Sequence, residues 1–101
     1  MVNKQLQKPA ENRAYVLIDA EEDKASEVAT SLHGRLGVTT ADVVNGPYRV
    51  IAVVEGSNIS AVAKTILIDI KNLSGVRDII VYLATPEEQT SHLSPSSKVT
   101  Q

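Results

Sequence analysis

With 101 residues, the chain is long enough for one domain with a modest core. A formal charge of −2 supplies no basic field, which argues against unaided binding to a nucleic-acid backbone. The absence of cysteine excludes disulfides, thiolate metal sites and a cysteine nucleophile. No apolar run approaches the length that spans a bilayer. The polar start "MVNKQLQKPAENR" has no apolar segment of a secretory signal, so a soluble cytoplasmic protein without membrane contact is expected.

In chain order, residues 1–13 read as a flexible N-terminal segment and 14–84 as the folded unit. "AYVLID" (14–19) is a short apolar, β-branched run and is predicted as a strand. In "AEEDKASEVATSLHGRL", Ala25, Val28, Ala29, Leu32 and Leu36 recur at helical spacing. Glu21, Glu22 and Asp23 are placed in the first turn of that helix, where the dipole favours negative charge, and Gly37 can stop it. "VTTADVV" (38–44) and "YRVIAVVE" (48–55) are the next strands. Ser57 or Asn58 is a plausible N-cap for a second helix, whose apolar stripe is Ile59, Val62, Ala63, Ile66, Ile70 and Leu73. Ser74-Gly75 ends it, and "VRDIIVYLA" (76–84) is the last strand. The tail, 85–101, has only Leu93 and Val99 as clearly apolar residues and is expected to be flexible.

The order β-α-β-β-α-β joins two similar halves, each with a Gly-Val pair (Gly37-Val38, Gly75-Val76) leading into its closing strand. This predicts an α+β, ferredoxin-like fold, with two helices on one face of a four-stranded antiparallel sheet. Such a sheet should alternate apolar with polar residues if its second face is wet. "AYVLI", "VIAVV" and "IIVYLA" instead are apolar at nearly every position. Two helices cover one face only, so a second copy is expected on the other, as a C2 homodimer or a larger ring-like homo-oligomer.

Signals for chemistry are few. His33 falls at the end of the first helix and His92 in the tail, neither beside a partner at metal-ligand spacing. Glu21-Glu22-Asp23 lacks the alternating ligands of a calcium loop. There is no Gly-x-Ser-x-Gly elbow, and Gly34, Gly37 and Gly46 are misplaced for a phosphate loop. Asp19, Asp42, Glu55, Asp69 and Asp78 are the carboxylates available for acid–base work, and no spacing brings two of them together. Neither catalysis nor a cofactor has support in these residues.

The remaining feature is Asn45-Gly46-Pro47-Tyr48 between two apolar runs. Asn-Gly is a strong hairpin signal, but Pro47 restricts Gly46 and donates no ladder hydrogen bond. A loop wider than two residues is expected, with Gly46 in an unusual backbone conformation. Tyr48 leaves that loop at the sheet's end, with Arg49 on the opposite face. On these residues alone, a plain turn and the border of a ligand site remain equally open.

The ordered set Ala41, Val44, Gly46, Tyr48, Ile51 and Val54, with the elements around it, resembles the C-terminal effector-binding domain of the Lrp/AsnC transcription regulators over residues 14–84. The resemblance implies a ferredoxin-like fold that dimerises through its sheet into a dimeric α+β barrel, often assembling into rings. It also implies small effectors, commonly amino acids, bound at subunit interfaces beside a Gly-x-Tyr-Asp loop. By motif match, Gly46 and Tyr48 border that pocket. Arg49 replaces the family's acidic residue, which would favour an anionic ligand or an intersubunit ion pair. Ile79 and Val81 stand where the family often carries a Thr-x-Thr pair. The thirteen residues before the first strand cannot supply the family's helix-turn-helix, so a stand-alone module is expected, one able to co-assemble with full-length regulators.

Two other classes share the element order. Small chaperones that bind the twin-arginine signal of periplasmic nitrate reductase would use an open sheet face or edge. Dimeric α+β barrel enzymes need a roomy polar or aromatic cavity, which a chain with no Trp or Phe is poorly equipped to line.

Overall fold

In a computed structural model, which describes residues 12–84, the chain runs β1 (Asn12–Ala20), α1 (Ala25–Leu32), β2 (Val38–Val43), β3 (Val50–Gly56), α2 (Ile59–Lys64) and β4 (Val76–Leu83). A π-helical segment, Thr65–Ile70, continues α2 without a break. The strands form one antiparallel sheet in the order β2-β3-β1-β4, which is the ferredoxin-like arrangement that the order of elements predicted. The expected flexible tail, His92 and most of the expected N-terminal segment lie outside the described residues.

Alternation along the strands sets the two faces. Ala14, Val16 and Ile18 of β1, Val50, Ala52 and Val54 of β3, and Ala41 of β2 are buried beneath the helices. Val28 and Leu32 of α1, with Val62, Ile66 and Ile70 of the second helix, close over them. Burying each of the Val, Leu and Ile side chains stabilises the fold by about 1.5–3 kcal/mol relative to exposure, and each Ala methyl contributes less.

The first helix is shorter than its pattern suggested. Asp23 has φ +78°, which a helix cannot contain, so Glu21, Glu22 and Asp23 form a turn ahead of α1 rather than its first turn. The Glu21 N–H is held instead by the Gly75 carbonyl, at 2.8 Å. At the other end His33 is extended and Gly34 is left-handed (φ +82°), so the helix stops before Gly37. Leu36 therefore leaves the buried stripe and is 91% exposed. In the second helix Asn58 is the N-cap, its Oδ1 accepting the Ala61 N–H at 2.8 Å. Ile59 is exposed, and the Lys71 N–H reaches back five residues to the Ile66 carbonyl at 2.9 Å.

The Gly-Val pairs lock the halves together. Gly37 and Gly75 are both left-handed, at φ +93° and +98°. Each lies against the helix of the other half: a Cβ on Gly37 would come 2.8 Å from Thr65 Oγ1, and one on Gly75 3.1 Å from Val28 Cγ2. Both carbonyls are used alike, Gly37 accepting the Glu55 N–H and Gly75 that of Glu21.

Among the described residues no helix covers the second sheet face. Register and alternation place Leu17 between Ile51 of β3 and Ile80 of β1's other neighbour, β4. Tyr15 lies likewise between Val53 and Tyr82. These side chains are half-buried or exposed, so an apolar belt crosses the middle of the uncovered face.

Candidate functional site

The β2–β3 loop is closed by the Val44 N–H donating to the Arg49 carbonyl at 2.8 Å, with Asn45-Gly46-Pro47-Tyr48 inside it. It is therefore wider than a two-residue turn, as Pro47 requires. Gly46 does not take the unusual conformation expected of it. Its φ is not left-handed, and a Cβ there would meet nothing within 4 Å. Spreading the reversal over four residues removes the need for positive φ. Tyr48 is half-buried and Arg49 exposed, without an ion pair to any described residue. The loop sits at the sheet end where Ile18 pairs with Val50.

The candidate carboxylates are dispersed. At the loop's end of the sheet Asp19 faces Asp78 across β1 and β4, and Arg77 donates to Asp19 Oδ1 at 3.0 Å. At the opposite end Arg13 Nε donates to Glu55 Oε2 at 2.6 Å, and Thr39 Oγ1 to Glu55 Oε1 at 2.9 Å. The hydrogen bond from Arg13, then that from Thr39, holds the Glu55 carboxyl below the ordinary glutamate value. Asp69 lies 3.7 Å from Arg35. His33 Nε2–H donates to the Ala41 carbonyl at 3.0 Å, tying the end of α1 to β2. Among the described residues no group of His, Asp and Glu could hold a metal ion.

A cavity of about 500 Å³ opens at the sheet end remote from the loop. It is lined by Leu36 and Gly37 ahead of β2, by Gly56 at the end of β3, and by Ala61, Lys64, Thr65, Ile68 and Asp69 of the second helix. Glu55 completes the rim. Neither Gly46, Tyr48 nor Arg49 takes part. Roughly 16 Å of strand separates the cavity from the loop, at 3.3 Å per residue. Sequence periodicity did not assign these residues to one place. The available signal was the run Ile66-Leu67-Ile68, which has more apolar residues than one buried stripe uses; Leu67 and Ile68 are more than half exposed.

Two layers and a split β-α-β order define this as a ferredoxin-like domain. No protein-family model matches the chain, and no curated protein does. Solved structures do share its fold. Hypothetical protein PHS023 from Pyrococcus horikoshii is 24% identical, over 73% of this chain and 89% of its own, with a TM-score of 0.69. AsnC of E. coli is 14% identical, over all of this chain and 63% of its own, with a TM-score of 0.70. The transcriptional regulator NMB0573 of Neisseria meningitidis, solved with L-Met, is 12% identical over 99% of this chain and 63% of its own, TM-score 0.68. The Tat proofreading chaperone NapD of E. coli is 22% identical over 91% of this chain and 96% of its own, TM-score 0.64. The fold is thus shared with part of each AsnC-type regulator chain and with most of the length of small proteins such as PHS023 and NapD. None of the described helices is long and apolar enough to cross a membrane.

Proposed function

We propose that this chain is a stand-alone, non-enzymatic effector-binding and oligomerisation module related to the Lrp/AsnC regulators. It acts in the cytoplasm and does not itself contact DNA. The observation that carries this reading is the fold shared along the whole chain with AsnC and along nearly all of it with a regulator that was solved with L-Met. The uncovered apolar belt of Leu17, Ile51, Val53 and Ile80 supports a homodimer with sheets face to face, or a ring built from such dimers. Gly46, Tyr48 and Arg49, at the end of that sheet, then border an effector pocket at the subunit junction. The effector is a small molecule of the amino-acid class, with Arg49 meeting its carboxylate or a partner's acid. Full-length regulators of the same fold are candidate partners for co-assembly.

Thermal-shift screening against amino acids and related metabolites tests this. A bound effector raises the melting temperature by mass action, and Tyr48→Ala should remove the shift while leaving the dimer folded. A shift that survives Tyr48→Ala moves the site away from the loop.

A peptide-binding chaperone is the second reading, favoured by the likeness to NapD over nearly the whole of both chains. It needs the open sheet face or an edge strand free for a peptide. A chain that is monomeric at micromolar concentration and binds a twin-arginine signal peptide would establish it over the effector module.

A further inference from the structure

We propose that the cavity between the second helix and the α1–β2 connection is a small-molecule site of its own, selective for an aliphatic carboxylate. The chemistry follows from what lines it. Leu36 is 91% exposed and Ile68 54% exposed, so two aliphatic side chains from different segments line the groove with much of their surface in water. With the Ala61 methyl they form an apolar wall that an alkyl chain would cover. The charged groups at the rim are not equivalent. Glu55 is engaged by Arg13 and Thr39, and Asp69 lies beside Arg35. Lys64 is the rim charge with no ion pair among the described residues. An apolar wall with one unneutralised ammonium selects a monoanion with a hydrocarbon tail.

The two glycines let the backbone beside the cavity pass close to the second helix. Gly37 and Gly56 both line it, and a Cβ would lie 2.8 Å from Thr65 Oγ1 on Gly37 and 3.2 Å from Ala61 Cβ on Gly56. The wall itself is the wide-turned Thr65–Ile70 segment, a helical form that is rare and frequent at functional sites. It turns Ile68 toward the groove while Ile66 and Ile70 remain buried.

This inference is independent of the loop reading, because it uses none of Gly46, Tyr48 and Arg49. The test is a titration of the full chain, isotopically labelled, with hexanoate and with hexanamide, its uncharged counterpart, followed by amide resonances. Hexanoate should give saturable shifts at Leu36, Gly37 and the Lys64–Asp69 segment, and bind more tightly than hexanamide. Lys64→Met should weaken hexanoate roughly tenfold, the scale of one charge-assisted hydrogen bond, with little change for hexanamide. Ile68→Asp should abolish both while the spectrum stays dispersed. Equal affinity for the two probes, absence of saturable shifts, or shifts confined to Asn45–Arg49 would overturn the proposal. An amino-acid titration of the same sample, read at the loop resonances, scores the loop site separately.

Discussion

At Gly75 the backbone is at φ +98°, and a methyl group would lie 3.1 Å from Val28 Cγ2 and 3.2 Å from Lys24 Cβ. Gly46 differs in both respects, with an ordinary φ and no neighbour within 4 Å. Gly75→Ala should therefore lower unfolding stability by about 1–3 kcal/mol, through strain and crowding together. Gly46→Ala should stay within about 0.5 kcal/mol of the parent. Urea denaturation of the two variants makes the comparison, and a large loss at Gly46 would mean that the loop is constrained by something beyond its own backbone. Glu55 gives a pH prediction. Its carboxyl is held below the ordinary value, 4.5, by hydrogen bonds from Arg13 and Thr39, so the folded state binds the proton more weakly than the unfolded chain does. Its contribution is thus complete above about pH 4.5 and is lost as pH falls through the lower folded value. The stability difference between the parent and Glu55→Gln should shrink on acidification through that window. A difference that stays constant down to pH 3 would mean that the Arg13–Glu55 pair adds nothing to folding, as many exposed pairs do.

The two helices show how far pattern carries a fold and where it stops. Asn58 caps the second helix through the Ala61 N–H, and Asn58→Ala should cost about 1 kcal/mol. Ile70, fully buried at the helix's far end, should cost about 2–5 kcal/mol when truncated to alanine. Thermal denaturation that ranks the cap above the core residue would contradict this account of what holds the helix. All four strands and the middle of each buried stripe were legible, though not its end at Leu36 or Ile59, because period-two and period-3.6 burial are what a two-layer fold demands of its sequence. The start of α1 was not. Nothing in the helical pattern announces that Asp23 will be left-handed: Glu21–Lys24 closes as a turn through Lys24 N–H and the Glu21 carbonyl at 2.9 Å, while the Glu21 N–H reaches the Gly75 carbonyl, 54 positions along the chain. Leu36 looked like the last member of a helical stripe for the same reason: periodicity runs on after Gly34 has ended the helix. The loop was legible as a wide turn, through Pro47, but not as a site. The cavity was legible only through the surplus apolar residues of Ile66-Leu67-Ile68, because Leu36, Gly56 and Ile68 belong to three segments that only the tertiary fold brings together.

For the molecule as a whole, the telling fact is the mismatch between what the sheet offers and what the helices cover. Register sets Leu17 directly between Ile51 and Ile80, with Tyr15 between Val53 and Tyr82 one row away. The described residues leave this belt facing solvent, an arrangement that marks an interaction surface. Pairing two such faces about a two-fold axis would bury aliphatic side chains against one another without requiring any charge to pair, since the engaged Arg13–Glu55 pair lies at one end and Asp19 and Asp78 at the other. Leu17→Glu puts a carboxylate at the centre of the belt. In a single chain that side chain reaches water and costs little, whereas in a face-to-face dimer it would be buried without a partner, at several kcal/mol for the pair of copies. Light scattering on the parent should thus give at least twice the chain mass of 10.8 kDa, and Leu17→Glu should fall to one chain mass with its circular dichroism unchanged. A parent that already runs as a single chain would take the second copy off this face, and with it the subunit junction at which Gly46, Tyr48 and Arg49 were to meet a ligand.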